Sequence, residues 1–283
     1  MRLLKITFAL SLSVTALATT VIAYSTWRTE ADIKAHRKNV ISLAQKAQVP
    51  VWDEAALSEL PKVVQRYFQF TFPNGPANIS HVSMKMEGQF RRPQMDSFAP
   101  TTAEQVAAAN TPALAFSATT PIIPGVWARA YDAYANAKME MKAKILSTLT
   151  VVDEEETPEL NSTSLRRWLL ESPLYPTALL PGGPVTWEAI DNSRARATVA
   201  MSGYSASLVA TFREDGSLER FDAEEDGDLT TSYHGSGEHV YRSEYKEVSG
   251  MMIPHKFTIA RAAKDKLMPF WDGYLTNITF GSF

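Results

Sequence analysis

The chain of 283 residues contains no cysteine. This absence excludes disulfides, a thiol nucleophile, thiolate-bound zinc and an N-terminal lipid-modified cysteine. If the protein is exported, its stability must come from packing alone. A concentrated block of basic charge is missing too. Lysine and arginine number 28 against 31 acidic residues, a formal net charge of −3, which argues against nucleic acid as a partner. Neither the dinucleotide fingerprint nor the P-loop pattern occurs. The nucleophile elbow G-x-S-x-G is also absent, since residues 203–207 (GYSAS) lack the closing glycine and read as a hairpin. Two histidines and a glutamate at 234–239 lack helical H-E-x-x-H spacing, and the acidic run at 222–228 lacks the ligand order of an EF-hand. Both read as solvated loops, so no metal and no cofactor is expected. No fixed-period repeat is present, and an apolar content of 45% suffices for a sizeable core.

A long uncharged run stands near the N-terminus. Arg2 and Lys5 precede residues 6–24, 19 positions without a charge. About 20 apolar residues cross a bilayer, so this length sits between a signal peptide and a membrane-spanning helix. Residues 1–24 are read as a membrane anchor, with cleavage after Ala23 as the alternative. Arg28, Lys34, Arg37 and Lys38 compete with Arg2 and Lys5 for the cytoplasmic side, and the body is placed in the periplasm.

Residues 25–50 are expected to form a helical linker, with Ile33, Val40, Ile41, Ala44 and Ala47 at near-helical spacing. Asp53 can cap a short helix through Leu60, and Pro61 can open another whose stripe is Val63, Val64, Tyr67 and Phe68. The period then changes. Strands are predicted over 79–90, 113–119, 126–134 and 137–152, and again over 187–190, 195–201, 205–212, 218–223, 238–247, 252–261 and 267–280. Their turns fall at Asp191-Asn192, Ser202-Gly203, Glu214-Asp215-Gly216 and Ser249-Gly250. The Ala-rich segment 94–112 is expected to hold a short helix around 103–109. Many neighbouring strands with few helices imply an α+β fold. One domain over 51–283 would carry a large curved antiparallel sheet, half-barrel-like and covered by a few helices.

The span 161–187 is the most unusual. Asn161 or Ser162 suits a helix N-cap, Leu165, Trp168 and Leu169 share a face, and Pro173 stops the helix. Arg167 and Glu171 stand four apart as a helical ion pair. The proline-broken apolar arm 174–181 cannot be a central strand, so residues 162–181 are read as a lid or plug over the sheet. Beneath it Met84, Met86, Met139 and Met141 present flexible apolar side chains that suit either an apolar ligand or a filled core. Trp168, Leu169, Tyr175 and Leu179 are the further candidate ligand contacts. The candidate polar groups are Asp132, Arg166, Arg167 and Glu171, whose convergence in a pocket would raise the case for an enzyme.

The segments "LPKVVQRYF", "MEGQFRR", "YDAYANAKMEM", "LRRWLLESPLYPTALLP", "VTWEAIDNSRARATV" and "YKEVSGMMIPHKFTI" occur in this order. Together they resemble a family of bacterial domains of unknown function, over about residues 60–281. The family usually has glycines where Tyr134-Ala135-Asn136-Ala137 stands here. The resemblance implies no activity. It implies a half-barrel similar to lipoprotein carriers, with a concave face that accepts acyl chains. The expected function is thus binding of a lipid or other apolar ligand at the membrane. The alternatives are an envelope scaffold with a solid core and, third, an enzyme.

Overall fold

The computed structural model describes residues 2–48, 50, 52–92, 95–225, 238–263 and 266–283. Helices α1 (Arg2–Lys46), α2 (Glu54–Ser58) and α3 (Lys62–Thr71) come first. Six strands follow: β1 (His81–Arg91), β2 (Phe98–Ala108), β3 (Leu114–Ile123), β4 (Val126–Ala135), β5 (Lys138–Ile145) and β6 (Leu149–Glu154). Helix α4 (Pro158–Glu171) and two 3-10 turns, Ser172–Leu174 and Pro176–Leu179, come next. The chain closes with β7 (Val185–Ala189), β8 (Arg194–Met201), β9 (Tyr204–Phe212), β10 (Leu218–Asp222), β11 (Glu238–Val248), β12 (Met251–Ala263) and β13 (Lys266–Gly281).

All 13 strands form one antiparallel sheet, ordered β6-β5-β4-β3-β2-β1-β13-β12-β11-β10-β9-β8-β7. Strands consecutive in the chain pair with one another except β6 and β7, and the two halves join where β1 pairs with β13. Consecutive strands β6 and β7 therefore lie on opposite edges, and the segment between them must travel from edge to edge. It does so across the inner face. Helix α4 touches β4 and β5 towards one edge and β8 and β9 towards the other, so the sheet curls around it as a half-barrel.

Side chains alternate as a half-buried strand requires. In β1, Val82, Met84 and Met86 are buried inward, while Lys85 and Glu87 are exposed. The hairpins at Ser202-Gly203 and Ser249-Gly250 put both central residues at positive φ (51° and 85°, 52° and 79°), the geometry that two-residue hairpins favour. The turn at Asn136-Ala137 has the same geometry without glycine (55° and 61°).

Three expectations are corrected. The helix expected around 103–109 is instead part of strand β2. Ala103 and Ala107 face the inner core, while Val106 and Ala108 face Val40 and Ala44 of α1. A strand covered on both faces loses polar alternation, and its small alanines let helices approach both sides. The single strand expected over 137–152 breaks at Leu146 and Ser147, which take φ of 52° and 56°, and Leu149 ends up exposed. The cap of α4 is neither Asn161 nor Ser162. Thr157 Oγ1 accepts from the Leu160 N–H at 3.2 Å ahead of Pro158, while Asn161 Oδ1 accepts from the Met139 N–H at 2.9 Å. Asp53 caps α2 as expected, and α4 gives way to 3-10 turns at Ser172 and Pro173.

Helix α1 is continuous over 45 residues. Its C-terminal half lies on the outer face of β1–β4 through the buried stripe Thr29, Ile33, Val40 and Ala44. Arg37 bonds Ser117 at 2.9 Å and Glu104 at 2.7 Å, and Glu30 pairs with Arg129 at 2.8 Å. Ala44 packs beside Ala108 and Ala113 at one end of the strands, and Glu30 meets Arg129 towards the other. The helix beyond runs past the sheet with Leu12, Val14, Leu17, Val21, Tyr24 and Trp27 exposed. Among the described residues no helix is long and apolar enough to cross a membrane. Nothing is described of the side chains of residues 1–11, which include the start of the uncharged run.

Candidate functional site

The edge-to-edge segment fills one half of the half-barrel. Trp168, Leu169, Tyr175 and Leu179 are fully buried in a core that includes Ala195, Ala197 and Val199 of β8 and Leu208 and Ala210 of β9. Small inward residues on those strands let α4 sit close. Hydrogen bonds lock the plug: Trp168 Nε1 donates to the Ala108 carbonyl at 2.9 Å and Tyr175 Oη to the Trp168 carbonyl at 2.6 Å.

The other half is hollow. A cavity of about 190 Å³ remains between α4 and the strands β1–β5 and β11–β13. Its apolar wall includes Met86, Leu114, Phe116, Met139, Met141, Leu170, Phe257 and Trp271. The Trp271 ring lies close to two glycines: a Cβ at Gly88 would fall 2.9 Å from it and one at Gly273 2.6 Å. Both positions are therefore closed to side chains. Grooves of about 590 and 470 Å³ on the outer face are larger, but they are shallow, and many of their lining residues are polar.

Charged groups converge in the cavity. Arg167 Nη1 donates to both Asp132 oxygens at 2.9 and 3.0 Å, and its Nε to Glu171 Oε1 at 2.9 Å. Gln105 Nε2 donates to the other Glu171 oxygen, and the Arg167 guanidinium lies 4.8 Å over the Phe116 ring. Burial disfavours the Arg167 cation, yet the two carboxylates outweigh it and hold the proton more tightly than usual. Burial raises the Asp132 carboxyl above its ordinary value, against the pull of Arg167. Across the cavity, Glu238 of β11 stands opposite Arg261 of β12 and is pushed up by burial, partly offset by Arg166 and Arg261. Arg242, four residues along β11, donates through Nη2 to the Leu170 carbonyl at 2.7 Å, and burial depresses its pKa.

The mouth lies where the half-buried residues Phe90, Arg92 and Phe270 line the cavity. Pairings Phe90↔Trp271, Arg91↔Phe98 and Arg261↔Met268 place it at one end of β1, β2, β12 and β13. Exposed Met95, Phe98, Leu267 and Met268 surround that end. Through Thr102↔Thr119 and Thr119↔Arg129, Glu30 of α1 docks near mid-strand, and from Ala44 at the far end through Glu30 the helix runs N-terminally towards the mouth end.

Of the residues singled out from sequence, Met86, Met139, Met141, Asp132, Arg167 and Glu171 line the cavity. Met84, Trp168, Leu169, Tyr175 and Leu179 are buried core outside it, and Arg166 lies beside Glu238 without lining the wall. The sequence did not single out Gln105, Arg242 or Arg261, and the reading of 234–239 as a solvated loop is corrected at Glu238, which is buried at the start of β11. Inward alternation from Val240 would have flagged Glu238 and Arg242 as charges on an apolar face. The 234–239 stretch lies outside the described residues except for Glu238 and His239, whose ring nitrogen bonds Asp222 at 2.7 Å. Among the described residues no cluster of metal-ligating side chains occurs.

Fold and cavity together define a class: an open antiparallel half-barrel, plugged on one side by its own edge-to-edge helix and hollow on the other. The chain belongs to the family of unknown function DUF6920, which it matches over residues 58–280. No curated protein matches it. Three solved structures are similar to it at low identity. A DUF1329 family protein from Desulfovibrio piger is 10% identical, with 82% of this chain and 94% of that one covered at a TM-score of 0.41. A proposed outer membrane lipoprotein-sorting protein domain from Vibrio parahaemolyticus is 8% identical, with 80% and 92% covered at 0.40. A LolA superfamily protein from Nitrosomonas europaea is 7% identical, with 78% and 93% covered at 0.36.

Proposed function

We propose that the protein is a membrane-associated, periplasmic binding protein that holds a lipid or other apolar ligand in the cavity beneath α4. One observation carries the reading: the mouth of a mostly apolar cavity and the uncharged part of α1 lie at the same end of the sheet. With residues 6–24 in a bilayer, the mouth faces the membrane that supplies the ligand. Tyr24 and Trp27, ring centroids 6.0 Å apart, then stand at the level where aromatic residues favour the headgroups. Met86, Met139 and Met141 give the wall adaptable side chains. The Asp132–Arg167–Glu171–Gln105 network fastens the cover to β2 and β4, and its carboxylates are taken up by that fastening rather than free for acid–base work.

The test is lipid analysis of the full chain purified in mild detergent, by native mass spectrometry and solvent extraction. The expected result is a copurifying lipid that Ala118→Trp, which fills the cavity from β3, displaces without loss of the far-ultraviolet dichroism signal. A wild-type protein that emerges empty and takes up no added lipid overturns the reading.

A further inference from the structure

Arg242 is a fully buried cavity cation with no carboxylate contact among the described residues, whereas Arg167 has two. The residue is 2% exposed, and of its three side-chain nitrogens only Nη2 has an acceptor, the Leu170 carbonyl. Nε and Nη1 are buried with no hydrogen-bond partner among the described residues. The Phe257 ring, 5.9 Å from the guanidinium, offers a weak cation–π contact and no acceptor. A buried cation with idle donors is costly, and such groups are normally paired. Here the idle donors belong to a side chain that lines the cavity.

We propose, resting on the lipid-binding reading above, that the cavity takes a single-chain amphiphile with one anionic headgroup, and that Arg242 receives that headgroup. Arg242 reaches the cavity from β11 beside the C-terminal turn of α4, so an anion there also lies across from the aromatic pair Phe257 and Trp271. The apolar tail then runs along Trp271, Phe90 and Phe270 towards the mouth. The volume sets the chain number. About 190 Å³ falls below the roughly 300–1,000 Å³ of drug-sized sites, so the cavity encloses part of one chain, whose end reaches the mouth, and has no room for two or three. Guanidinium groups match carboxylate and phosphate equally, so a fatty acid and a phosphate-headed monoacyl lipid share the chemistry.

The experiment compares dodecanoate, dodecyl phosphate and dodecanol on the full chain in detergent, by displacement of a fluorescent apolar probe. The wild type is expected to bind at least one of the anions about tenfold or more tightly than the alcohol, as a charge-assisted bond in a dry site warrants. Whichever anion binds tighter names the source. Arg242→Met abolishes that preference and leaves dodecanol affinity unchanged. Arg242→Gln, which keeps a donor for the Leu170 carbonyl, does the same if the methionine variant fails to fold. Equal affinity for acid, phosphate and alcohol in the wild type, or a preference that survives both substitutions, overturns the headgroup assignment while lipid binding stands. Failure of all three probes to bind overturns both the assignment and the lipid-binding reading.

Discussion

Glu238 concentrates the electrostatics of the cavity in one side chain. It is 6% exposed, and Arg166 and Arg167 face it from α4, Arg261 from β12, with Glu171 adding repulsion. Burial wins and raises its pKa. A carboxyl with a folded-state pKa above its unfolded value contributes stability that is fully present below the unfolded value and is lost as pH rises through the folded one. Glu238→Gln removes that loss while keeping size and hydrogen bonding. Urea unfolding of both proteins is therefore expected to give similar midpoints near pH 4 and an advantage for the variant that grows towards pH 8. Each unit of upward shift corresponds to about 1.4 kcal/mol. A difference that stays flat with pH would mean that the three arginines hold Glu238 ionised at its ordinary value.

Among the elements, the turns and the crossover helix fix the half-barrel. Gly250 at φ +79° has nothing within 4 Å of where a Cβ would sit, so Gly250→Ala isolates the backbone cost of the left-handed conformation, about 1–2 kcal/mol. Gly216 at φ +90° would set a Cβ 2.7 Å from the Arg66 carbonyl of α3. Gly216→Ala is thus expected to cost clearly more than Gly250→Ala in the same denaturant titration, because α3 must also move off the β9–β10 turn. Equal losses would show that α3 is held loosely there. Such turns were legible in the sequence because positive φ demands particular residues, and the one-sided strands were legible because water selects one face. Strand β2 was not: with α1 outside and the inner core beneath, its alanines carry no polar face to set a period. The i, i+4 spacing revealed Arg167 and Glu171. Their partners Asp132 and Gln105 come from β4 and β2, and no local spacing encodes pairing across strands.

At the scale of the whole molecule, function turns on orientation. Arg37 with Glu104, Glu30 with Arg129, and the buried Ile33, Val40 and Ala44 fix α1 along the outer face, so the uncharged run and the cavity mouth share one end. The absence of native cysteine makes any introduced thiol unique, which allows each end to be probed alone. Leu267 is exposed at the mouth end, paired with Ala262, and Glu247 is exposed at the far end, paired with Met252. The ten residue steps of β12 from Met252 to Ala262 span about 33 Å, longer than the hydrocarbon core of a bilayer is thick. A fluorophore on Leu267→Cys in the full chain, reconstituted in vesicles, is expected to be quenched by lipids bearing a headgroup quencher, and one on Glu247→Cys is not. Removing residues 1–24 should abolish the quenching at Leu267→Cys if α1 is what holds the mouth to the membrane. Equal quenching at both sites, or quenching at the far end alone, would mean that the mouth does not open towards the bilayer and that the ligand arrives through water or from a protein partner.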